Sequence, residues 1–446
     1  MKGRSNDRKK SSLLEYIYNL LNETLSSETF KIQHRLTETS FSRTRKLSFP
    51  TLLTYFLNLT KGSYQQELDN FFNIATPDNL PFQMVTKSAL SQARKQLSYT
   101  AFIALNQQAV EAYYATHPEF KTWHGFRLCA IDGSQFRVPN EPNIINAFGV
   151  NPGKDNQKDC ALALVSVYYD VLNHISIDSS INHTTASERE CAAAHLNYAH
   201  PKDLSILDRG YNAFWLYALY EATDRYFCMR AKSNQGLLYK EFAKSGKIQS
   251  VITLKANKCS VNQCIEKGLP TKPLKLRLIR VELEDGEVEV LITNLMDEQA
   301  FPACEFKELY HLRWGAEENY KRLKQWVEIE NFSGKSVLSV KQDFYAKVLS
   351  TNLTAMVANA AQQQVDKATA HRKHEYQVNF AQALSKMKNT LIELLLLSVR
   401  KLQGKLEALI DYIARSIEPI RRGRSYSRST SKSKNRIFYC NYKRAK

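Results

Sequence analysis

Between residues 126 and 231 the chain alternates short apolar runs with helical segments, and this alternation constrains the fold most strongly. Short apolar runs bounded by polar turns are typical of strands, and the longer stretches between them have helical spacing. The predicted strands are 126–131 (FRLCAI), 162–169 (LALVSVYY), 174–181 (HISIDSSI), 204–207 and 226–231 (YFCMRA). The predicted helices are 185–199 and 212–223. This order predicts an α/β domain with a mixed sheet and helices on both faces.

The flanking segments extend this domain, which we interpret as an RNase H-like α/β catalytic domain. Residues 232–300 contain three strand-like runs and a turn at Asp285-Gly286, which predicts an inserted β-rich subdomain. Helical patterns return at about 303–330 and 339–365, and 377–417 predicts two more helices. Upstream, leucines recur at helical spacing within 1–120, and Ser48 with Pro50 marks one helix start. Helical N- and C-terminal regions are therefore expected to flank the α/β domain.

The charge balance indicates a polyanionic partner. The chain has 62 Lys and Arg against 44 Asp and Glu, a formal net charge of +18. Nucleic acid is the usual partner of such an excess, although a basic protein without that partner remains open. A short helix at 85–97 carries Lys87, Arg94 and Lys95, which either face solvent or contact DNA. Residues 419–446 contain basic residues but no acid, and we expect this tail to be disordered by itself.

The cysteines and the longest apolar run argue against secretion, zinc and a membrane span. The eight cysteines are scattered and form no C-x-x-C pair, which suits a reducing cytoplasm and disfavours a zinc site. The basic N-terminus is not followed by a signal-peptide pattern. The run 391–399 (LIELLLLSV) is too short to cross a bilayer. We therefore expect a cytoplasmic, nucleoid-associated protein.

Two acids follow predicted strands directly. Asp132 lies in AIDGS and Asp208 in ILDRGY. A carboxylate just past a strand end points into the crevice where α/β folds place their sites. An ordinary turn-forming Asp is the alternative for each acid taken alone.

A third acid belongs to a polar stripe on a predicted helix. Residues 310–324 read YHLRWGAEENYKRLK, and at about 100° per residue Tyr310, Arg313, Glu317 and Lys324 share one narrow face. Glu318 falls about 100° away from Glu317, off that stripe. Apolar residues occupy another side of the helix, so the stripe can look into a site. The alternative is a surface stripe with ordinary Glu–Lys and Glu–Arg pairing.

These motifs together resemble one known family. The pattern Y-x2-R-x3-E-x6-K is the signature of the insertion sequence four family of bacterial DDE transposases, and Tyr310, Arg313, Glu317 and Lys324 fill it. The IDGS and LDRGY strands and the β-rich stretch before the Glu helix are similar too, so the resemblance covers roughly residues 85–345. Gly210 stands where some members carry a further acid, which leaves the subgroup open.

The resemblance implies a metal-dependent site on DNA. Asp132, Asp208 and Glu317 would be the catalytic acids and would bind Mg²⁺ or Mn²⁺, with two ions expected. Three adjacent carboxylates repel one another unless a cation neutralises them, and oxygen ligands suit these ions. The implied DNA-binding residues are Tyr310, Arg313, Lys324, Arg209 and Lys321. The implied partners are terminal inverted repeats, target DNA and a second copy in a homodimeric synaptic complex, with a hairpin intermediate.

The predicted organisation has six segments. They are a helical N-terminal DNA-binding region (1–120), the first part of the catalytic core (121–231), the β-rich insertion (232–300), the second part with the Glu helix (301–365), C-terminal helices (366–418) and the basic tail (419–446). Three other functions stay open: a nuclease on the same fold, a domesticated DNA-binding protein, and a general metal phosphohydrolase. The phosphohydrolase would not need the basic tail or Tyr310.

Overall fold

The computed structural model describes residues 2–75, 84–117, 119–151, 159–231, 237–283, 286–396 and 399–421. The chain divides into two compact units. The first comprises residues 1–120, 135–163 and 321–446, and the second comprises 121–134 and 164–320. Most of the basic tail, residues 422–446, lies outside the described residues, so the predicted disorder stays a prediction.

The first unit is mainly helical, as predicted for residues 1–120. Its helices are α1 (Lys2–Ser26), α2 (Glu28–His34), α3 (Phe49–Leu57), α4 (Tyr64–Ala75), α5 (Lys87–Arg94), α6 (Thr100–Thr116) and α7 (Pro142–Phe148), followed after the second unit by α14 (Val337–Thr369), α15 (Phe380–Met387), α16 (Thr390–Leu396) and α17 (Val399–Ala414). The predicted start of α3 is confirmed: Ser48 caps the helix by accepting from the Thr51 N–H, and Pro50 lies in its first turn. A serine cap satisfies a backbone donor that the helix leaves unpaired.

Helix α14 forms the centre of the first unit. It is buried along most of its length and packs against α3, α6 and α17. Arg94 of α5 reaches a buried polar network on α14, where its guanidinium donates to Gln342 at 3.0 Å and to Asp343 at 3.1 Å. Arg94 is therefore a structural residue, and for this residue the alternative of a DNA contact is wrong.

The second unit is built on a mixed sheet. The strands of the chain are β1 (Arg127–Arg137), β2 (Val150–Asn151), β3 (Cys160–Asp170), β4 (Ile175–Asn182), β5 (Asp203–Leu207), β6 (Tyr226–Arg230), β7 (Gln249–Leu254), β8 (Leu274–Glu282), β9 (Val288–Thr293), β10 (Tyr376–Val378) and β11 (Ile417–Pro419). In the second unit the order is β3-β1-β5-β6-β9-β8-β7, with β4 paired to β3. β1, β5 and β6 run parallel, whereas the pairs β3–β4 and β6–β9 are antiparallel. The mixed sheet predicted from the alternation is confirmed.

The helices of the second unit are α8 (Glu188–His195), α9 (Phe214–Ala222), α10 (Leu237–Lys244), α11 (Lys258–Glu266), α12 (Phe306–His311) and α13 (Trp314–Lys321). The strand-like runs of 232–300 form β7, β8 and β9, and they extend the main sheet because β9 pairs with β6. The predicted turn lies between β8 and β9, although Asp285 itself is outside the described residues.

Two predictions of local structure are wrong. The strand before Asp132 does not end there, because β1 continues through Arg137. The helix predicted over 303–330 is broken: α12 ends before Leu312, α13 follows, and residues Arg322–Trp326 form a π-helical turn. Such turns insert one residue into the helical repeat and recur at functional sites. Within the described residues, no helix is both long and apolar enough to cross a membrane.

Candidate active site

The register of two parallel strands brings Asp132 and Asp208 together. β1 pairs with β5 up to Ile131 opposite Leu207. Asp132 and Asp208 are the next residues on the two strands, and paired strands lie about 4.8 Å apart. Although β1 continues, its parallel pairing with β5 stops before Asp132. Both carboxylates therefore lie at the end of this strand pair, where α/β folds place their sites.

Asp208 is fixed by the turn that follows it. Its carboxylate accepts the Gly210 N–H at 2.6 Å and caps a 3-10 turn, Arg209–Tyr211. A Cβ atom at position 210 would lie 2.9 Å from Asp208 Oδ1. A side chain at position 210 would therefore displace the Asp208 carboxylate.

Glu317 lies on helix α13, and its charge acts on Asp132. Arg313 Nη2 donates to Glu317 Oε1 at 3.0 Å, one helical turn away, and the Arg313 guanidinium lies 5.9 Å from the centre of the Tyr310 ring. The shared face predicted for these three residues is therefore present despite the helix break. Glu318, next in the chain, is exposed.

Tyr320 anchors the helix that carries Glu317. Its hydroxyl donates to the carbonyl oxygen of Asp132 at 2.7 Å and lies 3.1 Å from that of Val165. The buried tyrosine thus ties α13 to β1 beside the first acid. Tyr320 was not among the predicted site residues. Its position three residues after Glu317, one turn along the same helix, could have indicated that it lies near the site.

The charges of Asp208 and Glu317 act on Asp132. The pKa of Asp132 is raised from its ordinary value of 3.8 to about 7. Burial is the main cause, and the charges of Asp208 and Glu317 add to it, whereas Arg313 and a hydrogen bond from the Gly133 N–H oppose it. Burial and like charges both disfavour an ionised carboxyl group.

A fourth acid, Glu188, stands at the start of α8 beside the same strand. A Cβ atom at position 133 would lie 2.7 Å from Glu188 Oε1, so a side chain there would displace this carboxylate. Burial raises the pKa of Glu188, and the charge of Asp208 raises it further. The sequence analysis missed Glu188 because nothing local links it to Asp132, although the glycine directly after Asp132 was a usable signal.

Comparison with known proteins assigns the chain to a family. Residues 123–353, slightly more than half of the chain, match the family model described as the transposase DDE domain. The chain belongs to the DDE-domain transposases. It is 25% identical over 289 residues to the transposase InsG of insertion sequence element IS4 from Escherichia coli (strain K12), covering 64% of this chain and 64% of that protein. The predicted resemblance to the insertion sequence four family is thereby confirmed.

Two further similarities were found. The putative transposase InsZ of the same Escherichia coli strain is 25% identical over 178 residues, which cover 39% of this chain and 58% of InsZ. The chain thus spans less than two thirds of the length of either relative. A solved structure of a piggyBac transposase synaptic complex with hairpin DNA aligns over 88% of this chain and 85% of that chain, with a TM-score of 0.42 and 8% identity.

The donor set of the DDE site fits a divalent cation. Asp132, Asp208 and Glu317 offer only carboxylate oxygens, which magnesium and manganese prefer. Burial is the main cause of the raised pKa of Asp132, and a cation would offset the smaller part that comes from the charges of Asp208 and Glu317. In the described part of the chain, however, no three such side chains already stand close enough to share one ion. Binding one ion with all three carboxylates would therefore require them to move together.

The remaining predicted DNA-binding residues fall in both units. Arg209 is exposed in the turn after Asp208, while Tyr310 is partly buried and burial raises its pKa. Lys321 and Lys324 belong to the first unit, where Lys321 is exposed. Lys324 Nζ donates to the Gln135 carbonyl at 2.7 Å, lies 4.6 Å from the centre of the Phe136 ring, and has a pKa lowered by burial. Lys324 lies on the π-helical turn, so the projection at 100° per residue does not hold for it.

A hydrogen-bonded serine, histidine and aspartate elsewhere in the second unit resemble a hydrolase triad but have no access to substrate. Ser166 Oγ lies 2.9 Å from His195 Nε2, and His195 Nδ1 lies 2.6 Å from Asp178 Oδ2. Ser166 and His195 are buried. A serine nucleophile must reach a carbonyl group of a substrate, and these buried side chains cannot. The hydrogen bonds among Ser166, His195 and Asp178 instead stabilise the packing of α8 on the sheet.

Proposed function

We propose that this protein is a DNA transposase that cleaves the ends of an insertion sequence and joins them to target DNA. The observation that carries the proposal is the register of β1 and β5, in which Asp132 and Asp208 directly follow the last paired residues. Glu317 adds the third carboxylate, and its charge acts on Asp132. Membership of the DDE-domain family supports the same reading.

We also propose a fold for the second unit and roles for two other segments. We assign the second unit an RNase H-like fold, which the parallel strands β1, β5 and β6 beside the β3–β4 hairpin support. The β-rich residues 232–300 would act as an insertion before the Glu helix. The helical residues 1–120 would bind DNA, and the protein would act at the bacterial nucleoid.

The three acids would hold Mg²⁺ or Mn²⁺, with two ions proposed. When bound, such ions activate an attacking oxygen and stabilise a leaving one during phosphodiester displacement. Arg313 would hold the Glu317 carboxylate through the 3.0 Å hydrogen bond and offset part of the negative charge around Asp132. Tyr320 would keep α13 at β1 through its hydrogen bond to the Asp132 carbonyl.

The other family-signature residues would contact DNA. Arg209 is exposed next to Asp208 and would hold a phosphate of the scissile strand. Tyr310, Lys321 and Lys324 would add contacts to the terminal inverted repeats or to target DNA. Two copies would act together in a synaptic complex, and the resemblance to the insertion sequence four family suggests a hairpin intermediate.

A pair of adjacent acids gives the sharpest test. We expect Glu317→Gln to abolish cleavage of a labelled element end in Mg²⁺, because the third carboxylate is lost while its shape is kept. Glu318→Gln is the matched control and should keep most activity, since this exposed side chain resembles an ordinary surface position. Both proteins should bind the DNA end and unfold like wild type. An active Glu317→Gln protein, or a dead Glu318→Gln protein, would contradict the proposed site.

The same assay separates the alternatives. A transposase should yield products joined to target DNA, whereas a nuclease on the same fold should yield cut ends alone. A domesticated DNA-binding protein should bind the ends and leave them uncut in either Mg²⁺ or Mn²⁺. Asp132→Asn and Asp208→Asn should bind ends as wild type does and cut none.

A further inference from the structure

An open cleft in the first unit has the chemistry of a phosphate-binding surface. Residues 37–47, here called the arginine loop, fold over the start of α5 and enclose a cavity of about 710 Å³. Its basic lining residues are Arg43, Arg45 and Lys46. The hydroxyl-bearing residues Thr37, Thr39, Ser42 and Thr86 line the same cavity. Guanidinium, ammonium and hydroxyl groups are the donors that proteins use for phosphate oxygens.

The three cations of the arginine loop carry uncompensated charge. Arg43, Arg45 and Lys46 are all exposed. Across the described chain, no carboxylate forms an ion pair with any of them. The loop contains one acid, Glu38, which does not line the cavity. Three neighbouring positive charges repel one another, and an anion in the cleft would relieve that repulsion.

The first part of the arginine loop is anchored to Gln96, just after α5, and to α3. The Leu36 N–H donates to the Gln96 carbonyl at 2.9 Å, and the Phe41 N–H donates to the Gln96 side-chain oxygen at 3.1 Å. Phe41 has a φ of 59°, a left-handed conformation that is strained for a residue with a bulky side chain. Its ring also packs edge-on against Phe49 at 5.3 Å. Strain of this kind persists only where the surroundings impose it, so the chain is anchored at Phe41, two residues before Arg43.

We propose that this cleft binds the phosphate backbone of duplex DNA. This inference rests on the proposed function for one point only, that the polyanion in the cleft is DNA. The cleft itself lies in the first unit and uses none of the three acids. Three cations within four residues span at most about 10 Å. Duplex DNA carries one charge per roughly 1.7 Å of axis, so several phosphates come within reach of such a span. The lining donors match phosphate oxygens, and a backbone contact of this kind orients DNA without reading its sequence.

The test measures how DNA affinity depends on salt. The full-length chain with Arg43→Gln, Arg45→Gln and Lys46→Gln is titrated against a labelled duplex carrying the element end, without divalent metal, over a range of NaCl concentrations. Each lost phosphate contact lowers the log–log slope by about 0.9, so we expect the slope to fall by about 2 to 3. Arg43→Lys with Arg45→Lys, which leaves Lys46 in place, should keep most of the wild-type slope. An unchanged slope would overturn the proposal.

A charge-matched variant controls for the loss of net charge. Lys240→Gln, Lys244→Gln and Lys247→Gln remove three exposed cations from the second unit, and this protein should keep the wild-type slope. An equal fall in both variants would mean that only net charge matters, which overturns the proposal. The protein with Arg43→Gln, Arg45→Gln and Lys46→Gln is called the cleft variant. If wild type bound single-stranded DNA more tightly than duplex, and the cleft variant lost this preference, the proposal would also be overturned.

A third arm separates this inference from the proposed function. The Asp132→Asn protein should bind duplex DNA with the wild-type slope and should not cut it. If the cleft variant also binds with the wild-type slope while the acids prove essential for cutting, the inference fails and the proposed function stands. If the wild-type chain binds no duplex at all, both fail.

Discussion

The buried charge of Asp132 predicts that removing a proposed catalytic group stabilises the metal-free protein. In the folded chain the pKa of Asp132 is raised from 3.8 to about 7. A carboxyl group with a raised folded pKa binds its proton more tightly when folded, so its contribution to stability is complete below the unfolded pKa. That contribution is lost as the pH rises from about 4 to about 7. Asn has the same shape and no charge, so Asp132→Asn escapes this loss.

The size of the stability effect follows from how far the pKa of Asp132 is raised. A difference of about 3 pKa units corresponds to an upper limit of about 4 kcal/mol. The side chain is only partly buried, and solvent screening should reduce the effect to about 1–2 kcal/mol. The Gly133 N–H, which lowers the pKa of Asp132 through its hydrogen bond, can still donate to the amide oxygen of Asn. We therefore expect Asp132→Asn to gain stability over wild type as the pH rises from 4.5 to 8.

Urea unfolding in EDTA at pH 4.5, 6 and 8 measures this difference. Glu318→Gln is the control, because it also neutralises an acid but at an exposed position; its difference from wild type should stay small at all three values. Adding Mg²⁺ at pH 8 should stabilise wild type and leave Asp132→Asn nearly unchanged, since only a protein that binds the ion gains from it. A stability difference between Asp132→Asn and wild type that is the same at every pH would refute the reasoning.

Three further predictions concern other parts of the chain. Arg94→Leu should lower the free energy of unfolding by about 3–5 kcal/mol, because the buried carboxylate of Asp343 loses its cation; a loss within about 0.5 kcal/mol in urea unfolding would contradict this. Gly133→Ala should displace the Glu188 carboxylate, whose Oε1 would lie 2.7 Å from the new methyl group. Because Glu188 is exposed and can swing away, urea unfolding should show a change below about 1 kcal/mol, and a larger loss would mean that the strand itself is strained. Deleting residues 419–446 should weaken DNA binding and flatten its salt dependence; an unchanged slope would show that the tail does not touch DNA.

The helical repeat allowed part of the candidate site to be predicted from sequence. Spacing along one helix decides which side chains share a face, and this local rule placed Arg313 next to Glu317 and separated Glu317 from Glu318. The structure agrees, with Arg313 hydrogen-bonded to Glu317 and Glu318 exposed. The rule failed at Lys324, because a π-helical turn changes the repeat and no sequence signal marked it.

Local patterning also predicted only part of the fold. Alternating apolar runs predicted the mixed sheet, since strand formation depends on local patterning. They did not predict that β7, β8 and β9 would extend that sheet, because which strand edge pairs with which depends on packing across the whole layer. Nor did they predict that Arg94 is buried: its partners, Gln342 and Asp343, lie about 250 positions away in the chain.

The sequence alone determined which acids are available and the order in which they occur. Only the tertiary structure decided which of these acids are neighbours. Asp132 and Asp208 are neighbours because Ile131 pairs with Leu207, and Glu188 approaches because position 133 has no side chain. These contacts join segments far apart in the chain, so their free energy depends on the packed sheet and helices rather than on local spacing.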